Sequence, residues 1–283
     1  MRRLSIASIV IALALPSAGR EPAPEGRALE RRLRDDLRAR SYLERGRIEV
    51  RVDGRDVTVA GKVPDALHRS LVRLVCENEP GVARVTDELV IDESLGPWRP
   101  SIDERDRIAA MSARAALRSD RQLGLYTSLS VRVSGGTATV TGKVARDEHR
   151  RAAVKLLCEL WGIEHVIDRI EVDPLRSSRR SAPPLDMTAA ETELANAIDE
   201  RIRADENLRG SVLISTHVIR DQVILLGEAP DLVHHDAMVE LAKSVVLHHP
   251  APQPNVTSQI VIGRKPPSPP PGPVASPGAG GRG

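Results

Sequence analysis

Alternation of apolar and polar residues sets the grammar of this chain, and it returns three times. Ile48-Glu49-Val50-Arg51-Val52 is followed, after Asp53-Gly54, by Val57-Thr58-Val59-Ala60-Gly61-Lys62-Val63. The same pair recurs as Leu129–Val133 and Ala138–Val144 around Gly135-Gly136, and again as Val212–Thr216 and Val223–Ala229 around Arg220-Asp221. A period of two on either side of Asp-Gly or Gly-Gly predicts a β-hairpin with one buried face. The third hairpin is more continuously apolar and has the weakest turn.

Helical periods flank each hairpin. Upstream, Leu29, Leu33 and Leu37 recur every four residues and give a single apolar stripe. The phrases Leu37–Leu43, Leu117–Leu123 and Ile202–Leu208 end the three upstream helices in similar polar wording. Downstream, Leu71, Val72, Val75 and Cys76 match Ala152, Ala153, Leu156 and Leu157 in spacing, and Asp65, Asp147 and Asp231 are read as their helix caps. Gly81-Val82 and Gly162-Ile163 then turn the chain into a last strand. His248–Pro252 stands in that place in the third copy, before a strand near Val256–Ile262. Gly61 precedes Gly81 by 20 residues, as Gly142 precedes Gly162.

Each unit therefore reads helix, strand, strand, helix, strand. A three-stranded sheet with one apolar face must bury it under the two helices, so the expected class is α+β: three tandem two-layer sandwiches. The expected division is a leader at 1–19, units at 28–92, 103–173 and 190–262, and a Pro/Gly-rich tail from 264. Gly96–Pro100 and Arg176–Pro184 separate the units, and the tail's seven prolines and five glycines in its last 20 residues predict an extended, disordered spacer.

Met1-Arg2-Arg3, the 12-residue apolar run Leu4–Leu15 and Pro16-Ser17-Ala18-Gly19 have the three parts of a cleaved secretory signal, and the run is too short for the roughly 20 residues of a membrane span. The expected location is periplasmic or extracellular, with peripheral membrane contact. Removing the leader takes away Arg2 and Arg3 and no acid, so the formal charge of +2 disappears with it. Any anion-binding surface must then be a local patch.

Composition narrows the chemistry further. Two Trp, two Tyr and no Phe leave few ring faces for stacking bases, and with level charge this argues against nucleic-acid binding. Gly136 and Gly142 enclose five residues rather than four, and Val144 follows Lys143, so no phosphate loop is present. His68, His149 and His234 each fall seven residues after the repeat glycine, which gives every unit one histidine and no metal cluster. His235, His248 and His249 add no chelating pair. No nucleophile or metalloprotease motif occurs, so neither enzyme activity, cofactor nor small-molecule substrate is expected. Gly61, Gly142, Gly227, Gly81 and Gly162 are read as structural positions needing a turn or close backbone approach. Cys76 and Cys158 are read either as a buried thiol in each of two units or as an inter-unit disulfide.

The repeat resembles the BON domain (bacterial OsmY and nodulation). The resemblance rests on Val50, Val52, Gly54, Val57, Val59, Gly61, Val63, Gly81, Val82 and Val85 in the first copy, and on Val131, Val133, Gly136, Val140, Gly142, Val144, Gly162, Ile163 and Val166 in the second. The third copy lacks the hairpin glycine and the Gly-Val turn. The resemblance implies a non-enzymatic envelope module that contacts phospholipid or envelope proteins, linked to osmotic or envelope stress. Arginines on the first helix are interleaved with acids, and Glu30–Arg34 has pairing distance on a helix. In the second unit Arg105 and Arg107 are set against Asp103, Glu104 and Asp106. That leaves Arg114, Arg118 and Arg121, followed by Tyr126, as the candidate lipid-facing surface.

Overall fold

The computed structural model describes residues 24–123, 128–174, 187–250 and 254–263. The leader, Tyr126 and the tail lie outside the described residues.

The first unit runs α1 (Pro24–Arg38), β1 (Glu49–Asp53), β2 (Asp56–Val63), α2 (Ala66–Asn78) and β3 (Arg84–Ile91), with a short 3-10 helix (Ser41–Gly46) after α1. The second repeats this order as α3 (Ile102–Ser119), β4 (Ser130–Ser134), β5 (Thr137–Val144), α4 (Asp147–Cys158) and β6 (His165–Val172). The third is α5 (Ala189–Arg203), β7 (Val212–Ile219), β8 (Gln222–Ala229), α6 (Leu232–His248) and β9 (Asn255–Ile262). In every sheet the hairpin is antiparallel and the crossover helix returns the last strand parallel to the second, giving orders β1-β2-β3, β4-β5-β6 and β7-β8-β9.

Register follows the alternation. Val50 faces Val59 and Val52 faces Val57, and all four are buried while Glu49, Arg51 and Asp53 are exposed. The α1 stripe closes on them, with Leu33 fully buried. Asp65 and Asp231 cap α2 and α6 through the N–H of His68 and His234, both at 2.9 Å, and each also meets that histidine's Nδ1. Asp147 departs from expectation: it is the first helical residue of α4, after an Arg146 that makes no capping bond, and its carboxylate pairs with Arg150 and Arg151.

The repeat glycine sits within the second strand of each unit, where the backbone entering the first strand passes close. A Cβ on Gly142 would lie 2.4 Å from Ser128 O, and one on Gly227 would lie 2.4 Å from Val212 O. The third hairpin manages without a glycine: Arg220 takes φ 55°, and its N–H donates to Glu191 Oε1 at 2.7 Å.

The units are fused rather than strung on linkers, with the third in the middle. Helix α2 packs on α6, so the cores of units one and three form a single apolar cluster. Helix α3 lies on β9, and Val261 joins the core of unit two. Alanines at 109, 113, 115 and 116 let the helix approach closely, and Ser112 Oγ both donates to Ile262 O and accepts from Ile262 N, each at 2.9 Å.

Candidate functional site

Helix α3 buries two faces, one in its own unit and one on β9, and what remains outward is basic. At about 100° per residue, positions 107, 114 and 118 fall within about 40° of one another. Arg107, Arg114 and Arg118 are all exposed, with the half-buried Met111 between them, and Arg121 extends the line past the helix end. None of the four forms an ion pair or side-chain hydrogen bond among the described residues.

Three of the four acids near them, Glu104, Asp106 and Asp120, are engaged with backbone amides. Glu104 accepts from the N–H of Ser101 at 2.9 Å and from its hydroxyl at 3.0 Å, closing a capping box. The nearby Ser41 hydroxyl, then the Ser101 N–H, hold its carboxyl below the ordinary glutamate range. Asp106 clasps the hairpin turn of its unit, accepting from Gly135 N at 2.6 Å and Gly136 N at 2.9 Å. Asp120 accepts from Gln122 N and Leu123 N, both at 2.9 Å. These carboxylates hydrogen-bond backbone amides rather than guanidinium groups, and of the four arginines Arg107 alone feels one of them, Glu104, through its charge. Sequence reasoning set Arg107 aside because acids surround it in the chain. Its i, i+7, i+11 spacing with Arg114 and Arg118 was the signal that would have kept it. Of the four expected residues, Arg114 and Arg118 share this face of α3 with Arg107, Arg121 is exposed just beyond the helix end, and Tyr126 lies outside the described residues.

The first helix behaves differently. Arg34 pairs with Glu30 as its spacing predicts, and Arg32 reaches Glu79 at 2.7 Å. Most of the charge not visible in sequence is buried between units one and three. Arg40 reaches Asp236 Oδ2 at 3.1 Å and Glu240 Oε1 at 3.0 Å, and the Tyr42 hydroxyl donates to Asp236 at 2.6 Å. Asn78 Nδ2 donates to Glu240 Oε2 at 2.9 Å, and Lys243 reaches Oε1 at 2.9 Å. Burial pushes the Asp236 carboxyl upward, but hydrogen bonds from His235 and Tyr42 and the charge of Arg40 outweigh it and hold it low.

No disulfide joins Cys76 and Cys158. Cys76 is fully buried, chiefly for which reason its pKa is pushed up to about 12. Cys158 is exposed, so neither the bridge nor the pair of buried thiols is found. Its position one residue out of register with Cys76 puts it on the outward side of α4. Among the described residues no group of three His, Cys, Asp or Glu side chains is placed to hold a metal ion. No described helix is long and apolar enough to cross a membrane.

Residues 26–93 and 105–174 match the family model of the BON domain. No curated protein matches the chain. Among solved structures, the C-terminal domain of CdsD, a structural protein of the Type III secretion system of Chlamydia trachomatis, is 9% identical over 80% of this chain and 94% of that one, with a TM-score of 0.20. A second structure of CdsD is 10% identical over 82% and 92%, also at 0.20. Superpositions that loose carry no argument about fold or function. Two segments, 26–93 and 105–174, are thus similar to the BON domain, and a third unit shares their strand order.

Proposed function

We propose that this chain is a non-enzymatic, exported envelope protein that attaches peripherally to anionic phospholipid surfaces through α3 of its second unit. The observation that carries this reading is the set of Arg107, Arg114, Arg118 and Arg121, exposed and without ion-pair partners among the described residues, on a helix whose Glu104 and Asp106 accept from backbone amides. Basic residues at an anionic bilayer contribute about 1 kcal/mol each, so four supply about 4 kcal/mol, roughly a thousandfold in affinity. Attachment of that strength is reversible and falls with salt, because charges beyond a Debye length of about 8 Å are screened at physiological ionic strength. The matched family model and the leader-like segment at 1–19 support an envelope location.

Co-sedimentation with vesicles tests it. The full chain should pellet with phosphatidylglycerol-containing vesicles and not with neutral ones, and Arg107/Arg114/Arg118→Glu should abolish pelleting without altering the circular dichroism of the fold. Unchanged pelleting of the variant overturns the surface. A second reading, a protein-binding adaptor, is favoured by Val212 and Ile214, which stand 55% and 62% exposed on the edge strand β7. Failure to pellet with any vesicle favours that reading.

A further inference from the structure

Both tryptophans of the chain face one cleft of about 190 Å3 where the three units meet. Trp98 and Pro100 come from the segment between units one and two, Ile108 from α3, Trp161 from the turn after α4, and Pro230 and Asp231 from unit three. Trp98 leans edge-on against Tyr42 at 5.9 Å, which fixes its ring, and Trp161 is 38% exposed. Chain direction matters here. Strand β9 ends at Ile262, the carbonyl of the next residue, Gly263, accepts the backbone N–H of Trp161 at 2.7 Å, and a Cβ on Gly263 would lie 2.8 Å from that of Trp161. The next residues are Arg264-Lys265-Pro266-Pro267-Ser268-Pro269-Pro270-Pro271.

We propose that segment 264–271 docks into this Trp98/Trp161 cleft of its own chain as a polyproline II strand. Four properties of the cleft select that occupant. Its volume falls below the roughly 300–1,000 Å3 of sites that enclose a small molecule, and suits rings presented by a passing chain. Its lining sets two indoles beside Pro100, Pro230, Ile108, Leu232 and Ile262; proline-rich strands dock on aromatic-lined grooves, and being extended before binding they lose little entropy. Its charged group is Asp231, whose carboxyl is held below the usual range: burial opposes this, and the hydrogen bonds from His234 outweigh it. That anion complements Arg264 and Lys265. Finally, the segment starts against Trp161, and three residues per turn at about 3.1 Å each put Pro267 and Pro270 on one edge and Pro266 and Pro269 on the next.

Because both tryptophans line the cleft, intrinsic fluorescence reads it alone. In the full chain, replacing Pro266, Pro267, Pro269, Pro270 and Pro271 by Ser should move the emission maximum to longer wavelength and raise quenching by acrylamide. A chain ending at Gly263 should behave the same way. A synthetic peptide of residues 264–273, added to that shortened chain up to about 1 mM, the effective concentration a short tether supplies, should reverse both changes. Identical emission and quenching in all three proteins overturns the proposal. Emission that varies with protein dilution also overturns it, since the cleft then holds the tail of a second copy.

Discussion

Replacing Arg40 by Met tests whether the buried charges between units one and three hold them together. Glu240 is only 3% exposed, and the Arg40 side chain, at 14%, bridges it to Asp236. Methionine keeps the aliphatic stem and removes the cation, leaving two carboxylates facing the interface. Breaking a buried pair by removing one partner costs about 3–5 kcal/mol. The lower end applies, because Glu240 keeps Lys243 and Asn78, Asp236 keeps Tyr42, and Arg40 Nε has no hydrogen-bond partner to lose. At urea slopes of about 1–3 kcal/mol/M, a loss of about 3 kcal/mol lowers the unfolding midpoint by about 1–3 M. Arg51→Met is the matched control: its pair with Glu49, at 3.3 Å, is 72% and 68% exposed, and such pairs are worth less than about 1 kcal/mol. Adding Glu240→Leu to Arg40→Met should recover part of the loss, since removing both charges leaves less buried charge unpaired. If Arg40→Met shifts the midpoint no further than Arg51→Met, the interface is not held by this network.

Three further outcomes follow from the same structure. Ser112→Ala strips β9 of the hydroxyl that satisfies both Ile262 N and Ile262 O, so it should cost about 1–3 kcal/mol by urea denaturation; a loss below 0.5 kcal/mol, about the size of a neutral surface change, contradicts the packing of α3 on β9. Iodoacetamide should modify Cys158 in the folded chain and Cys76 only after denaturation, as mass spectrometry of digests will show, because the Cys76 thiol is buried with its pKa near 12. Asp236 is depressed in the folded state, so its contribution is fully present above pH about 4, the unfolded value, and is lost as pH falls through the lower native one; an acid titration of near-ultraviolet circular dichroism should accordingly show less loss below pH 4 for Asp236→Asn than for the parent.

The architecture of each unit was legible because local rules decide it. A period of two around Gly54 and Gly135-Gly136, and a stripe at Leu29, Leu33 and Leu37, leave one way to bury three strands under two helices. The basic line on α3 was half legible. Arg114 and Arg118 stand apart from acids in the chain and Arg121 follows Asp120, whereas Arg107 has three acids within four residues, and proximity in sequence does not reveal that Glu104 and Asp106 accept from amides. What joins the units was not legible at all. Ser112 meets Ile262 across 150 positions and Arg40 meets Glu240 across 200, and no periodicity specifies such pairings.

One trace of that assembly was nevertheless written in the third copy. Helix α6 buries Val233, His235, Ala237, Met238, Glu240, Leu241, Ala242 and Val246, more than one stripe. A helix buried on several sides belongs between partners rather than at a surface. Units one and two each keep an open sheet face, with Arg51 and Arg132 exposed on it, whereas the third unit offers α6 to α2 and β9 to α3. Its departures from the repeat, Arg220 in place of a hairpin glycine and residues 248–252 in place of the Gly-Val turn, occur in the unit that packs against both others. Divergence from the repeat and central position thus coincide in one unit: a module covered on two sides must be complementary to both neighbours, through α6 against α2 and β9 against α3.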